Sequence, residues 1–118
     1  MTKTARIPPE ELFAALSDAT RLRLLNLLRA GEVCVCDLVG SLGVPQPTAS
    51  RHLAALRRAG LVTVRKDGLW SHYSLAAPTH ALHEKLLECL ACCASERPTL
   101  ASDAARLVRV RKARGCCD

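Results

Sequence analysis

Val33–Gly60 reads VCVCDLVGSLGVPQPTASRHLAALRRAG, and it divides into two short helices joined by a turn. The first runs about Val33–Ser41 and stops at Gly43, a residue suited to the left-handed conformation past a helix end. Pro45 and Pro47 forbid continuation and allow a restart. The second helix is about Pro47–Ala59, with Gly60 behind it. Its apolar positions, Ala49, Leu53 and Leu56 with Ala55 beside them, recur at helical spacing and define a buried face. Its outer face is expected to carry Gln46, Thr48, Ser50, Arg51 and His52. Hydrogen-bonding side chains at the N-terminal end of a helix are what a recognition helix inserts into the major groove. Gln suits adenine and Arg suits guanine, while Ser and Thr suit phosphate or either base. The plain alternative is an ordinary solvated helix face.

The flanking segments favour the first reading. Downstream, LVTVRKDGLWSHYSL (Leu61–Leu75) alternates strand formers around an Asp67-Gly68 turn, which predicts a β-hairpin. Arg65 and Lys66 near its tip are expected phosphate contacts. Upstream, Pro8-Pro9 can open a helix over Glu10–Leu16. Asp18 is a plausible N-cap for a second helix over Ala19–Ala30, with Arg21, Arg23 and Arg29 on its solvated side and Gly31 as its stop. After the hairpin come a helix at about Thr79–Ala94, a break at Pro98, and a further helix over Ala101–Ala113 with Arg114–Asp118 as a tail. The pattern predicts a mainly α fold with a β-hairpin wing, a winged helix-turn-helix. Residues 1–98 form its DNA-binding and dimerisation domain, and 99–118 a basic, cysteine-ended extension.

Composition agrees. The chain of 118 residues carries a net charge of +6, a balance that favours polyanions such as nucleic acid. Aromatics make up 3%, too few for a single-strand stacking platform. No serine–histidine–acid set, phosphate loop or carboxylate pair is present, so no catalysis is expected. No apolar stretch is long enough to span a membrane, and Met1–Pro9 lacks a signal-peptide core, so the cytoplasm is the expected compartment and no membrane partner is expected.

Seven cysteines need a different explanation. Seven is odd, which excludes a complete intramolecular disulfide framework, and cytosolic disulfides are rarely structural. Thiolates select soft thiophilic ions; the alternative is simple burial, common for cysteine. Cys34 and Cys36 stand at the start of the first helix of the motif. Two residues apart on a regular helix lie roughly 200° around its axis. Chelation by this pair therefore requires Cys34 to lie before the helix or the first turn to unwind. Cys89, Cys92 and Cys93 share one helical face, where they suit either an ion or, with Leu82 and Leu86, a dimer seam. Cys116 and Cys117 end the basic tail. Cys89-x-x-Cys92 also has the spacing of a redox pair, but redox pairs stand where a strand meets a helix, not inside an apolar helix.

ALSDATRLRLLNLL (Ala15–Leu28), VCVCDL, PQPTASRHLAALRRAGLV (Pro45–Val62) and DGLWSHYSL together resemble the ArsR/SmtB family of metal-responsive winged-helix repressors, over roughly Pro9–Leu90. The resemblance implies a homodimer joined through the first and last helices, with Leu12, Leu82 and Leu86 at the seam. It implies binding to palindromic double-stranded operator DNA and release on metal binding. The arsenite-responsive branch is most similar, so As(III) or Sb(III) is the implied inducer and cysteine thiolates the implied ligands. That branch often carries a third cysteine three positions after the pair; here the position is Val39. The third ligand then lies elsewhere, in Cys89, Cys92, Cys93, Cys116 or Cys117, or the three-sulfur site is not formed. The zinc branch uses acids and histidines on the last helix, where this chain has His80, His83 and Glu84 without the family's Asp-x-His start. Cadmium sensors add cysteines from an N-terminal arm, but the first cysteine here is Cys34. A repressor of the same fold switched by thiol oxidation, or by zinc or cadmium, is the alternative.

Overall fold

Helix α1 (Pro9–Leu16) begins with Pro9 at its first position, where no N–H is needed. The computed structural model describes residues 7–114. Helix α2 (Ala19–Leu28) is capped as expected: the Asp18 carboxylate accepts from the Arg21 N–H at 3.0 Å. A short strand β1 (Val33–Cys34) leads into α3 (Val35–Leu42), which ends on Gly43 at φ +69°. Helix α4 (Gln46–Arg58) follows, with Pro47 in its first turn. Then come β2 (Val62–Asp67), β3 (Trp70–Leu75), α5 (Ala81–Glu96) and α6 (Pro98–Arg114).

The three strands form one antiparallel sheet in the order β1-β3-β2. The hairpin turns at Gly68-Leu69, one residue later than the Asp67-Gly68 expected, because Asp67 still pairs with Trp70. Gly68 supplies the positive φ, +62°, at the first central position of the turn. Leu69 stands at the tip, 97% exposed.

Leucines from α1, α2, α3, α4 and α5 close the core. Leu12, Leu24, Leu25, Leu38, Leu53, Leu56 and Leu90 are all essentially inaccessible. Ala49, Leu53 and Leu56 are the buried face of α4, as the spacing predicts. Leu12 was expected at a dimer seam; at 0% exposure it belongs to the interior of the protomer, and Phe13 is the large apolar side chain that α1 leaves exposed.

Helix α6 lies along α2 and α3. Its Leu100 and Leu107 enter the core and its Asp103 is buried. Arg23, expected to be solvated, instead forks onto Asp103, Nε to Oδ2 at 2.8 Å and Nη2 to Oδ1 at 2.9 Å, and also donates to the Leu42 carbonyl at 2.9 Å. The fork and the Coulomb attraction of Asp103 raise the Arg23 pKa further above its ordinary value, against the opposing effect of burial. Arg106 donates to the Ser41 carbonyl at 2.7 Å. The last carbonyls of α3, which have no partner inside the helix, are thus held by two guanidinium groups. Among the described residues no helix is long and apolar enough to cross a membrane.

Candidate nucleic-acid interface and thiol pair

Gly43 ends α3 and the extended Pro45 precedes α4, whose first turn is largely exposed. Gln46, Ser50 and Arg51 are exposed there and Thr48 is half-buried. The first N–H groups of a helix carry the positive end of its dipole, which favours a phosphate. These four residues form the face expected from the sequence. His52 does not join them. Its Nδ1 accepts from Arg21 Nε at 3.3 Å and lies 3.8 Å from Asp18 Oδ2, with the ring only 15% exposed. His52 therefore braces α4 against the start of α2. The signal was in the spacing: position 52 is three after Ala49 and four before Leu56, the edge of the buried stripe.

The wing places Arg65 and Lys66 on β2. Lys66 Nζ donates to Ser71 Oγ at 3.0 Å. Arg65 donates with Nε and Nη2 to the two oxygens of Glu32, at 3.0 and 2.8 Å. That hydrogen bonding holds the Glu32 carboxyl below its ordinary value and raises the Arg65 guanidinium, in each case against desolvation. Glu32 was missed in the sequence, where it is one acid in a loop with nothing to link it to a residue 33 positions away.

The thiol pair sits at the root of the same motif. The expected helix start at Val33 is two residues early. Cys34 ends β1 with extended backbone (φ −69°, ψ 144°) and is the N-cap of α3, whereas Cys36 lies inside the helix. The 200° separation on a regular helix therefore does not apply, and no turn has to unwind. The two sulfurs lie 3.4 Å apart. Cys34 is buried and Cys36 half-buried. Of the two arrangements expected to allow chelation, Cys34 before the helix or an unwound first turn, the structure has the first, and the two sulfurs converge.

The other cysteines lie apart. Cys89 and Cys92 are exposed thiols on α5 and Cys93 is half-buried. Cys116 and Cys117 fall outside the described residues. Among the described residues no three His, Cys, Asp or Glu side chains converge as a metal-binding group. The α5 histidines have structural work instead. His80 caps α5, its Nδ1 accepting from the His83 N–H at 3.2 Å, and its Nε2 donates to the Ile7 carbonyl at 2.9 Å. His83 is wholly buried and its Nδ1 accepts from the Thr79 N–H at 3.1 Å. Burial, with a smaller contribution from His80, lowers the His83 pKa. Glu84 is exposed.

Comparison with known proteins gives the same picture. Residues 18–64 match the family described as bacterial regulatory protein, arsR family. The arsenical resistance operon repressor of Escherichia coli (strain K12) is 47% identical over 81 residues, covering 68% of this chain and 69% of that protein. Among solved structures, the AntR antimony-specific transcriptional repressor superposes with a TM-score of 0.60 at 32% identity, over 72% of this chain and 75% of that one. The homodimeric winged helix-turn-helix DNA-binding domain Mb0332 from Mycobacterium bovis superposes with a TM-score of 0.60 at 30% identity, over 73% and 74%. With helix α4 exposed at its N-terminal end, a β2–β3 wing packed on it and these relatives, the chain is a winged helix-turn-helix DNA-binding regulator and belongs to the arsR family.

Proposed function

We propose that this regulator is a homodimeric repressor that binds operator DNA and is released when As(III) or Sb(III) binds the thiolates of Cys34 and Cys36. The observation that carries the reading is the 3.4 Å between those two sulfurs. A soft ion that holds thiolates at about 2.3 Å can be shared by two sulfurs only if they lie closer than about twice that length, and 3.4 Å meets this condition. The pair therefore brings two sulfur atoms to one point at the root of the motif. It also spans the start of α3, the helix that supports α4, so a change at the sulfurs is felt by the reading helix.

A three-coordinate ion needs one more donor, and Val39 supplies none. Cys116 and Cys117 are the proposed source. The support is the course of α6: Arg111 Nη2 donates to the Glu32 carbonyl at 2.6 Å, two residues from Cys34. Cys116 follows Arg111 by five residues, a span of at most about 18 Å. The α5 cysteines are assigned to the dimer side, with half-buried Leu82 and Leu86 and exposed Phe13 as the apolar surface that a second copy covers.

Operator release by arsenite, at fixed salt and with reductant, tests the reading. Serine keeps a small polar side chain but is a poor ligand for a soft ion. Cys34→Ser and Cys36→Ser are expected to bind operator and ignore arsenite. X-ray absorption of the loaded wild-type protein should count three sulfurs per arsenic, falling to two in the Cys116→Ser, Cys117→Ser double variant. Full arsenite response in the Cys34→Ser, Cys36→Ser double variant overturns the proposal. Release by peroxide alone, with no response to arsenite, assigns the pair to redox sensing instead.

A further inference from the structure

Glu32 stands where three parts of the molecule meet. Its carboxylate takes both N–H groups on one edge of the Arg65 guanidinium. Its carbonyl is held by Arg111 of α6. Two residues on is Cys34. Across the sheet, Cys34 pairs with His72 and His72 with Arg65, so these three occupy one row over β1, β3 and β2. The Glu32 side chain bridges that row from the thiol end to the wing end.

The chemistry of the bridge is informative. A guanidinium edge that grips a carboxylate in a fork is the edge that grips a phosphate in a fork. One edge cannot hold both. The pair is also open to water, with Arg65 54% and Glu32 37% exposed, so it is screened and readily exchanged. A weak internal carboxylate on the expected phosphate contact of the wing is a competitor, not a structural clamp.

We propose that Glu32 is a latch between the thiol pair and the wing: with an ion on Cys34 and Cys36 its carboxylate holds Arg65, and in the operator complex a DNA phosphate takes Arg65 instead. The proposal rests on the reading of the thiol pair and wing given above. Coupling requires the ion to prefer the latched state. The geometry supplies the means. An ion fixes Cys34, strand pairing and Arg111 fix the chain on either side of it, and Glu32 is thereby held over the sheet. When phosphate draws Arg65 away, Glu32 loses its partner, and the loop leading into Cys34 loses one of its two side-chain anchors.

The test is a cycle of Glu32→Gln, Arg65→Ala and the double variant, in the full-length protein. Operator affinity is measured against salt without arsenite. Arsenite binding is followed by thiolate–arsenic ultraviolet absorption, and release by operator titration. Glu32→Gln keeps the shape and removes the competing charge. Its salt slope is expected to steepen by roughly 0.9 for each phosphate contact strengthened, close to 2 for a dimer with two wings. It should bind arsenite with unchanged stoichiometry yet need several-fold more for release. In the Arg65→Ala background the same substitution should change neither quantity. An unchanged slope in Glu32→Gln overturns the latch. Equal steepening with and without Arg65 also overturns it, because the effect is then a general gain of positive charge. Absence of arsenite absorption in the wild-type protein defeats the metalloid reading, while the salt slopes still decide whether Glu32 competes with phosphate.

Discussion

Removing Arg23 should destabilise the protein far more than removing Asp103, although each deletes the same ion pair. The two groups sit in different surroundings: the Asp103 side chain is 1% exposed and the Arg23 side chain 20%. Arg23→Ala leaves a buried carboxylate with no cation, for which a loss of about 3–5 kcal/mol is typical. It also removes the donor to the Leu42 carbonyl, adding about 1 kcal/mol. Asp103→Ala leaves a guanidinium that keeps its bond to Leu42 and can turn its free edge to water. Its cost should be near that of charge-assisted hydrogen bonds, about 2 kcal/mol. Replacing both by leucine should cost well under the sum, since the desolvation of the charges disappears with them. Urea unfolding followed by circular dichroism, at fixed protein concentration because the proposed dimerisation would shift apparent stability, gives all three numbers. Equal losses for the two single variants, or strict additivity in the double, would refute the claim that Asp103 is buried against Arg23 and that α6 is docked through this pair.

The lowered pKa of His83 sets a pH dependence. The folded state holds the ring neutral while the unfolded chain takes up a proton near pH 6.5, so the stability from this group is present above about 6.5 and is lost as pH falls through the lower folded value. Urea midpoints should fall as the pH drops below about 6.5, and His83→Leu should flatten that slope; an unchanged slope would assign the acid sensitivity elsewhere. Arg51→Ala should weaken operator binding by about 1–3 kcal/mol and relax preference at one base pair per half-site, as read by a mutated-operator series; uniform weakening on every sequence would make Arg51 a phosphate contact. Leu86→Asp should give a monomer by sedimentation, with reduced operator affinity; a monomer with full affinity would remove dimerisation from the reading mechanism.

Much of this architecture was legible in a single sequence because its signals are local. Asp18 caps the next turn, Gly43 ends the helix before it, Gly68 turns one hairpin, and Ala49, Leu53 and Leu56 repeat within eight residues. Each is a statement about neighbours along the chain, and neighbours along the chain stay neighbours in the fold. The apolar pattern of α4 therefore determined which face is buried and, His52 excepted, which of its predicted side chains reach outward. What the sequence could not decide were the partners of its charged and polar groups. Arg23 meets Asp103 across 80 positions, Arg65 meets Glu32 across 33, and His52 meets Arg21 across 31. An arginine reads the same whether it is solvated or forked onto a carboxylate, because the choice depends on which elements pack together. The same holds for Cys34. Its type and spacing marked it as a candidate ligand, but whether it could converge with Cys36 depended on the strand β3 that pairs with Val33 and Cys34 and holds them out of the helix. A one-dimensional pattern records which atoms are available; only packing sets the distances between them, and the chemistry of the thiol pair and of the wing arginine depends on those distances.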